Sequence, residues 1–551
     1  MTKTYLAVSA CALSLSLASL TTLALGPALA SGGEGGGLKF NAEIVKQAST
    51  DASVQKAVLE IDKLAQKQID EGKVPGLALA VVYKDKVIFA KGYGKKLVLD
   101  QSGKNISLSN NQIDADTVFQ IASISKSVAS TVVAAVVGDK NGDKTISWDA
   151  KVSDLDPSFA LSDPFVTANL TVRDLFCHRS GLPSHAGDPL EDMGYTQAEV
   201  LHRLRYQKPS SSFRAGYAYT NFGLTEGALA ATKAAKNTKD AWADLSSEKL
   251  YRPLGMTATS SRFDDFWGRE NKAYGHMKVD GKWVHKKQRQ PDAQSPAGGC
   301  STSVNDLAKW MRLQLGDGKF EGKQIIAQSA IAETHKPHML TGMSPLSGRP
   351  DFYGLGFNVS YDKNGRLVLG HSGAFVLGAG TNVRMIPSEQ LGICVVTNGS
   401  PVGVAEGLAN TFTDSALYGE QSQDWLALFA QIFADPATLG ENVGDYTHPP
   451  AAPRAALAND AYTGVYENEF WGEVKVSEVD GKLNALLGKD LSVPLKHYDR
   501  DTFTFELTCE DLGGVSAMTF TVSPAGKAQS VLVENLNENG NGTFIKKVLS
   551  D

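Results

Sequence analysis

The chain has 551 residues and a formal net charge of −6 at pH 7. This length exceeds what one hydrophobic core usually organises, so the sequence predicts two or three domains. Hydrophobic residues make up 42% and charged residues 21%, the balance of an ordinary globular protein. The weakly acidic charge gives no electrostatic reason to expect nucleic acid or an anionic membrane as a partner, and no nucleic-acid partner is predicted.

The N-terminus has the pattern of a secretory signal peptide over residues 1–30. Lys3 provides a positive charge, a long apolar run follows, and Ala28-Leu29-Ala30 forms a small-x-small cleavage site before Ser31. The sequence therefore predicts export to the periplasm or the extracellular space after cleavage near Ala30. A membrane anchor is the alternative, because the apolar run is long. No later segment is apolar enough to span a bilayer, so no stable membrane span is predicted.

A linker at residues 31–52 is predicted to precede a mixed domain at residues 53–435. Residues 53–76 have helical spacing, and LALAVVYKDKVIFAKGYG predicts two strands around a turn at Lys84-Asp85-Lys86. Residues 127–290 are mostly helix and loop, and strand patterns return in FNVSYDKNGRLVLGHSG, GTNVRMIP and LGICVVTN. This order predicts an α/β (α+β) fold in which a sheet flanked by helices carries an inserted helical subdomain.

The C-terminal region is predicted to be a separate all-β domain. HPPAAPRAALA is rich in Pro and Ala, so residues 436–458 are predicted to be a second linker. Residues 459–551 contain short alternating runs separated by turns, such as GEVKVSEVDGKLNALL and DTFTFEL. Such runs predict a small β-barrel or sandwich. Tyr466 and Trp471 are expected in its core rather than on a ligand-binding surface.

The stretch TVFQIASISKS places Ser123 and Lys126 three residues apart at the start of an apolar helix. Residues three apart share a helix face, so the amine can reach the hydroxyl. A serine hydroxyl needs an adjacent base, and a lysine acts as that base only where its surroundings lower its pKa. The free amides of a helix N-terminus can also bind an oxyanion. The same spacing recurs three more times in charged or turn-like surroundings, so this motif alone does not identify a site.

Two further motifs carry polar groups suited to catalysis. FRAGYAYTNFG contains Tyr219, whose phenol can carry a proton, and Asn221, whose amide can hold a substrate. LGHSGAF follows an apolar strand and contains His371, Gly373 and Ala374. Gly373 allows close backbone approach, and the amide of Ala374 could donate to an oxyanion. Taken singly, the first motif equally suits a surface turn, and a lone His-x-Gly favours a residue without a catalytic role.

The three motifs in this order resemble those of the serine β-lactamase and penicillin-binding-protein superfamily. The nearest branch looks like the class C-related, CubicO-type hydrolases, which include D-aminopeptidases, D,D-carboxypeptidase-like enzymes and esterases. The resemblance covers about residues 55–420 and implies an antiparallel sheet flanked by helices. Residues 459–551 look, more loosely, like the lipocalin-like β domain attached to some of these peptidases.

The resemblance assigns a role to each motif residue. It implies that Ser123 is the acylated nucleophile, Lys126 its general base and Tyr219 the proton relay to the leaving group and the deacylating water. Asn221 would hold the substrate's amide. His371 and Gly373 would line the opposite wall, and the backbone amides of Ser123 and Ala374 would form the oxyanion hole.

One position departs from the family pattern. Class C β-lactamases and many transpeptidases carry lysine where this chain has His371, and a histidine with a pKa near 6.5 is mostly neutral at pH 7. The sequence therefore favours a peptidase acting at amino termini, or an esterase, over an efficient β-lactamase. A neighbouring acid that keeps His371 protonated would weaken this inference.

The sequence thus predicts an exported serine hydrolase that cleaves amide bonds of small peptides, including D-amino-acid or cell-wall-type substrates. The alternatives are a carboxylesterase and a weakly catalytic protein that binds penicillin or peptidoglycan. A homo-oligomer formed through the C-terminal domain is left open.

No cofactor and no metal are predicted. DKNGDKTIS (139–147) begins like a calcium loop but lacks its glycine and its final glutamate. CHRSGLPSHAGDPLED (177–192) contains histidines and acids, but their spacing fits no standard zinc pattern. This segment is predicted to form a loop at the rim of the active site.

Overall fold

The computed structural model describes residues 49–139, 146–235, 241–344, 347–434, 444, 446 and 448–548. The predicted signal peptide (1–30) and nearly all of the predicted linker (31–52) lie outside the described residues. So do residues 140–145 of the calcium-like stretch and most of residues 436–447 of the second predicted linker. In the part of the chain that is described, no helix has both the length and the apolar character needed to cross a bilayer.

The first domain is a central sheet enclosed by helices. Its helices are α1 (Asp51–Asp70), α2 (Ile124–Gly138), α3 (Val152–Leu155), α4 (Pro164–Asn169), α5 (Val172–Phe176), α6 (Asp188–Asp192), α7 (Gln197–Arg203), α8 (Asn221–Ala235), α9 (Ala241–Ser246), α10 (Phe263–Trp267), α11 (Ser295–Gly298), α12 (Val304–Leu315), α13 (Gln328–Thr334), α14 (Val404–Tyr418) and α15 (Trp425–Ala434). Helices α3 to α9 form the inserted helical subdomain.

The strands of this domain are β1 (Gly76–Tyr83), β2 (Lys86–Gly94), β3 (Phe119–Gln120), β4 (Met277–Val279), β5 (Lys282–Val284), β6 (Ser301–Thr302), β7 (Lys319–Phe320), β8 (Lys323–Gln324), β9 (Met339–Met343), β10 (Pro350–Tyr353), β11 (Asn358–Tyr361), β12 (Leu367–Phe375), β13 (Ala379–Ile386) and β14 (Leu391–Thr397). Eight of them form the main sheet in the order β2-β1-β14-β13-β12-β11-β10-β9, and neighbouring strands run antiparallel. The predicted mixed fold with a flanked antiparallel sheet is therefore confirmed.

Strand β1 shows how the sheet is buried on both faces. All eight of its residues are buried. Leu77 and Leu79 lie in the hydrophobic cluster that includes α1 and α14. Ala78 and Ala80 point the other way, into the cluster that includes α2 and α12. Because both faces are covered by helices, β1 is apolar throughout rather than alternating.

Helix α2 is buried on nearly all sides. Every residue from Ile124 to Ala134 is buried, because the helix lies between the sheet and the helices of the inserted subdomain. This placement takes Lys126 into the interior with the rest of the helix.

The C-terminal domain is a nine-stranded antiparallel sheet that nearly closes into a barrel. Its strands are β15 (Gly464–Asn468), β16 (Gly472–Val479), β17 (Lys482–Leu487), β18 (Leu491–Pro494), β19 (Lys496–Asp499), β20 (Thr502–Thr508), β21 (Gly513–Val522), β22 (Ala528–Val533) and β23 (Thr543–Lys546). Their order is β18-β17-β16-β15-β23-β22-β21-β20-β19, so the two edge strands are consecutive in the chain. The predicted small β-barrel is confirmed, and Tyr466 and Trp471 lie in its core as expected.

The barrel and the helical subdomain share one hydrophobic cluster, which includes Met193 and Tyr195 from the subdomain and Trp471 from the barrel. The Tyr195 hydroxyl donates to the carbonyl of Trp471 at 3.2 Å. The guanidinium of Arg203 donates to the carbonyls of Glu469 and Phe470 at 2.9 and 3.2 Å. Continuous apolar packing with several hydrogen bonds holds the barrel beside the first domain.

Leu408→Ala tests the packing of α14 on the sheet. Leu408 is fully buried, so its truncation should lower the free energy of unfolding by about 2–5 kcal/mol. Leu59→Ala is the matched control, because that side chain is 66% exposed on α1 and should cost less than about 0.5 kcal/mol. Thermal unfolding of both variants measures the difference, and equal effects would contradict the packing described here.

Candidate active site

Ser123 lies at the N-terminus of α2, where the chain enters the helix from a strained backbone position. Ala122 has a φ of +46°, which is a left-handed conformation unusual for a residue with a side chain. Ser123 itself is 3% exposed. Its backbone N–H donates to no acceptor among the described residues. The serine therefore sits at the free amide end of a buried helix.

Lys126 reaches the serine from one turn further along the helix. Its Nζ donates to Ser123 Oγ at 3.0 Å and to the carbonyl of Ala297 at 2.9 Å. The ammonium also lies 4.6 Å from the ring centroid of Tyr219, which is a cation–π distance. Lys126 is fully buried. A burial of this kind is rare for lysine and requires the hydrogen bonds found here.

Ser125, to which the sequence assigns no role, ties α2 to the segment that holds Lys126. Its hydroxyl accepts from the Cys300 N–H at 3.0 Å. The same segment, α11 and the residues after it, presents the Ala297 carbonyl to Lys126. Ser125 thus positions the partner of the lysine.

Tyr219 approaches Ser123 from the helical subdomain. Its hydroxyl donates to Ser123 Oγ at 2.9 Å. The ring packs on His178 at 4.6 Å between centroids, and the Tyr219 carbonyl accepts from the His185 N–H at 2.7 Å. Ser123 Oγ is therefore in contact with two groups that can exchange a proton with it, the lysine amine and the tyrosine phenol.

Asn221 is the first residue of α8 and is 4% exposed. Its Nδ2 donates to Asp188 Oδ2 at 2.6 Å, and the same oxygen lies 2.8 Å from His185 Nδ1. Asn221 Oδ1 is buried and has no hydrogen-bond partner among the described residues. Since the carboxylate fixes the orientation of the amide, the oxygen is left to accept a hydrogen bond from a bound molecule.

Gly373 brings β12 directly against the backbone of the serine. A Cβ at this position would lie 2.4 Å from the Ile121 carbonyl oxygen and 2.9 Å from the Ser123 nitrogen. The Thr381 hydroxyl donates to the same Ile121 carbonyl at 2.9 Å. Only glycine permits this approach. Ala374, the next residue of β12, is buried beside it.

His371 is neutral. Burial, together with the charge of Lys126, lowers the pKa of His371 to about 3. Its Nδ1 lies 2.6 Å from the Ser372 carbonyl and its Nε2 lies 2.8 Å from the Tyr353 hydroxyl. A carbonyl only accepts, so Nδ1 carries the proton and the tyrosine donates to Nε2. The mostly neutral histidine predicted from the sequence is confirmed.

The structure thus brings Ser123, Lys126 and Tyr219 into direct hydrogen-bonded contact, with Gly373 against the same backbone. Asn221 and His371 lie around Tyr219, which packs on His185 and lies 6.4 Å from His371 between ring centroids.

Several residues of the site were not singled out by the motifs. Asp188 orients Asn221, Tyr353 orients His371, and Ala297 holds Lys126. They lie in the segments YGLGFNV, SPAGGC and DPLED. A backbone carbonyl, or a hydroxyl that acts only by orienting another side chain, has no sequence pattern of its own.

The largest part of the site that the sequence motifs did not predict is a loop of the C-terminal barrel. It consists of residues 509–512, between β20 and β21, and we call it the barrel loop. The Glu510 carboxylate accepts from the amides of Val376 and Leu377 at 2.8 and 3.1 Å, directly after β12. The Asp192 carboxylate of the rim segment accepts from the amides of residues 511 and 512 at 2.7 and 3.1 Å. The barrel loop therefore joins the rim to the strand that borders Ser123.

Arg289 is a buried cation where the barrel loop meets the rim segment, a contact region that we call the junction. Its guanidinium lies within 4 Å of the carboxylates of Glu191, Asp192 and Asp511. Burial raises the pKa of Glu510 to about 7 and the pKa of Glu191 above its usual value. The junction holds more acids than cations at the edge of the site.

Within the described ranges, no three His, Cys, Asp or Glu side chains are grouped as a metal ion would require. Residues 177–192 form α6 and the turns around it beside Tyr219 and Asn221.

Comparison with known families agrees with this geometry. A family model described as Beta-lactamase matches residues 61–418. The chain belongs to the beta-lactamase family. It is therefore a member of the superfamily of β-lactamase-like and penicillin-binding-protein-like serine hydrolases. A second model, described as a domain of unknown function (DUF3471), matches residues 441–544.

Individual relatives are distant but cover much of the chain. The unguisins hydrolase ungD of Aspergillus violaceofuscus is 25% identical over 499 residues, which are 83% of this chain and 84% of that protein. Penicillin-binding protein 4 of Amycolatopsis lactamdurans is 24% identical over 412 residues, which are 72% of this chain and 94% of that protein. The octameric penicillin-binding protein homologue from Pyrococcus abyssi has a TM-score of 0.54 and 19% identity. The match covers 89% of this chain and 100% of that chain, and it shows the shared fold.

Gly373→Ala should abolish the close approach of β12 to Ser123. The added Cβ would collide with two backbone atoms and the Thr381 hydroxyl, so we expect kcat/KM to fall by about 100-fold or more, as for other losses of oxyanion geometry. Gly513→Ala is the control, because its Cβ would have open space and it should retain full activity. Hydrolysis of p-nitrophenyl acetate measures both, and full activity of Gly373→Ala would contradict the geometry.

His371 should remain neutral from pH 8 to pH 5. The pKa of His371 is about 6.5 in the unfolded chain and lower in the folded protein. As the pH falls below 6.5, the unfolded chain therefore binds a proton that the folded protein does not bind. Between pH 6.5 and 5.0 this should lower the free energy of unfolding by about 2 kcal/mol. Histidine ¹⁵N NMR checks the tautomer, and His371→Gln should remove this part of the pH dependence in thermal unfolding. A ring that titrates near pH 6.5 in the folded protein would contradict the assignment.

Proposed function

We propose that this chain is an exported serine hydrolase that forms an acyl-enzyme on Ser123 and hydrolyses amide bonds of small peptides. One observation carries the proposal. Ser123 Oγ is hydrogen-bonded at once to Lys126 Nζ and to the Tyr219 hydroxyl, in a buried position at a helix N-terminus. A serine needs a base to become a nucleophile, and both partners are within proton-transfer distance.

In the proposed reaction, Ser123 Oγ attacks the substrate carbonyl and passes its proton to Lys126. The carbonyl oxygen becomes an oxyanion that receives hydrogen bonds from the amides of Ser123 and Ala374. Tyr219 gives a proton to the leaving amine as the C–N bond breaks and then receives a proton from the water that attacks the acyl-enzyme. The ester bond to Ser123 Oγ then breaks, the acid product leaves, and Lys126 returns its proton to Oγ. Asn221 Oδ1 accepts a hydrogen bond from the substrate's amide.

The polar groups around the site favour a substrate with a free amino group. His371 is neutral, so the third motif supplies no fixed cation for a substrate carboxylate. The guanidinium of Arg289 in the junction is already paired with the carboxylates of Glu191, Asp192 and Asp511, so it is not available to a substrate carboxylate either. A site without a cation for a carboxylate suits a substrate that is recognised through its amino end. Peptides with a free amino terminus, including D-amino-acid peptides from cell walls, fit this pattern.

A second candidate is a protein that acylates with penicillin or peptidoglycan and releases it slowly. Its support is the similarity to penicillin-binding protein 4 of Amycolatopsis lactamdurans. A carboxylesterase would use the same residues, and only the choice of substrate separates it from the peptidase.

The first experiment compares D-alanine and L-alanine p-nitroanilides with p-nitrophenyl acetate. We expect amide hydrolysis by the parent protein and a loss of at least about 1,000-fold in kcat/KM for Ser123→Ala, because no other group can form the acyl intermediate. Ser53→Ala is the matched control, since Ser53 has the same spacing to a lysine but caps α1.

Each outcome has a distinct meaning. Cleavage of the ester alone would support the carboxylesterase. A stable mass increase on Ser123 after incubation with a β-lactam, without amide turnover, would support the binding protein. Equal activity of Ser123→Ala and the parent protein would overturn the proposed mechanism.

Export and assembly are also proposed. The signal-like N-terminus supports export, tested by the N-terminal sequence of the mature protein, which should begin near Ser31.

The likeness to an octameric homologue supports a homo-oligomer through the C-terminal domain, tested by light scattering on the purified chain.

A further inference from the structure

A polar cavity of about 550 Å³ lies on the opposite face of the main sheet from Ser123. Successive residues of a strand face opposite sides of a sheet, so His371 and Gly373 face α2 while Ser372 faces α14. We call this the back-face cavity and define it by six polar residues that line it: Ser372, Asn382 and Arg384 from the sheet, and Glu406, Asn410 and Asp414 from α14.

The polar residues of α14 form a stripe on one side of the helix. Glu406, Asn410 and Asp414 are spaced by four residues, so they lie above one another. The neighbouring face of the same helix carries Leu408 and Phe412 in the apolar cluster over the sheet. Packing alone would favour apolar residues along the whole buried side. Polar residues at these buried positions do not follow the pattern expected from packing, and such exceptions are typical of binding sites.

Arg384 lines the cavity from the sheet, with its guanidinium not paired to an acid in the part of the chain that the structure describes. It stands opposite Gly370 on β12, where the absence of a side chain leaves room for the guanidinium. Among the described residues its guanidinium has no hydrogen bond and no ion pair, and its Nε is buried without a partner. Asn382 Oδ1 beside it is likewise buried and without a partner. An arginine remains protonated in proteins, and an unpaired guanidinium in a cavity attracts an anionic group.

The nearby acids are committed elsewhere or resist ionisation. Asp414 accepts from the Ser422 amide at 3.0 Å and from Trp425 Nε1 at 2.8 Å. Burial raises the pKa of Glu406 to about 7 and the pKa of Asp351 above its usual value. These acids leave the guanidinium of Arg384 without a hydrogen bond or an ion pair, while their carboxyl groups line the same cavity.

We propose that the back-face cavity binds a small zwitterion, an amino acid or the end of a short peptide. Its carboxylate binds the guanidinium of Arg384 in the two-pronged geometry that arginine favours, and its ammonium lies against Glu406 and Asp414 of α14. The aromatic residues Trp425, Phe429 and Phe352 line the same cavity and accommodate an apolar side chain. A volume of about 550 Å³ is within the usual range for small-molecule sites. This site is independent of the reaction proposed for Ser123.

Calorimetric titration of the full chain with L-leucine and D-leucine tests the proposal. Two analogues separate the charges: leucinamide lacks the carboxylate, and 4-methylpentanoate lacks the amine. We expect one of the leucine enantiomers to bind at least tenfold more tightly than either analogue and than inorganic phosphate. Equal binding of leucine, 4-methylpentanoate and phosphate would overturn the zwitterion assignment, and no binding of either leucine would overturn the site.

Variants locate the binding. Arg384→Gln should weaken leucine binding at least tenfold, whereas Arg454→Gln, an exposed arginine on the barrel, should leave it unchanged. Asn410→Phe is the second variant, because it fills the cavity from α14 while keeping Arg384. Both cavity variants should keep the p-nitrophenyl acetate activity of the parent, which shows that they fold. Unaltered leucine binding in a folded Arg384→Gln or Asn410→Phe would place the ligand elsewhere and overturn the proposal.

Discussion

The burial of the Lys126 side chain against the Ser123 hydroxyl is the interaction on which the rest of the site depends. An ammonium loses its hydration when it enters a protein interior, so it must find partners there. The partners described here are a serine hydroxyl, the Ala297 carbonyl and the face of the Tyr219 ring. Burial and direct contact with the serine hydroxyl place this amine where it can exchange a proton with Ser123, which is the role proposed for it.

The sheet supplies the second constraint, because β12 has to approach the start of α2 closely. Gly373 makes this contact possible, and the Thr381 hydroxyl fixes the Ile121 carbonyl on the same side. Ala122 has a left-handed backbone conformation, and the chain turns there from the contact with β12 into α2. Strain of this kind persists only when surrounding packing enforces it, and here α2 is enclosed on nearly every side. Rigid packing thus holds the amide of Ser123 in a fixed direction.

The same strand links the catalytic domain to two other regions. Beyond its end, the amides of Val376 and Leu377 donate to Glu510 of the barrel loop, so the C-terminal domain contributes to the edge of the site. On the opposite face, Ser372 receives a hydrogen bond from Asn382 at 2.9 Å and borders the back-face cavity. A single strand therefore touches the nucleophile, the barrel and the cavity.

The sequence by itself determined the types and order of the main elements and the three motifs, because these depend on local periodicity and on residues a few positions apart. Ser123 and Lys126 meet through helix geometry alone, and β1, β2 and their turn follow from local pattern. Only the tertiary structure decided how Tyr219 reaches Ser123 across 96 residues of chain, and that Asp188, Tyr353 and Ala297 hold the site in place. It also decided the contact of Glu510 with β12, and the isolation of Arg384. These depend on long-range packing and on desolvation, which act between segments that have no common pattern in the sequence.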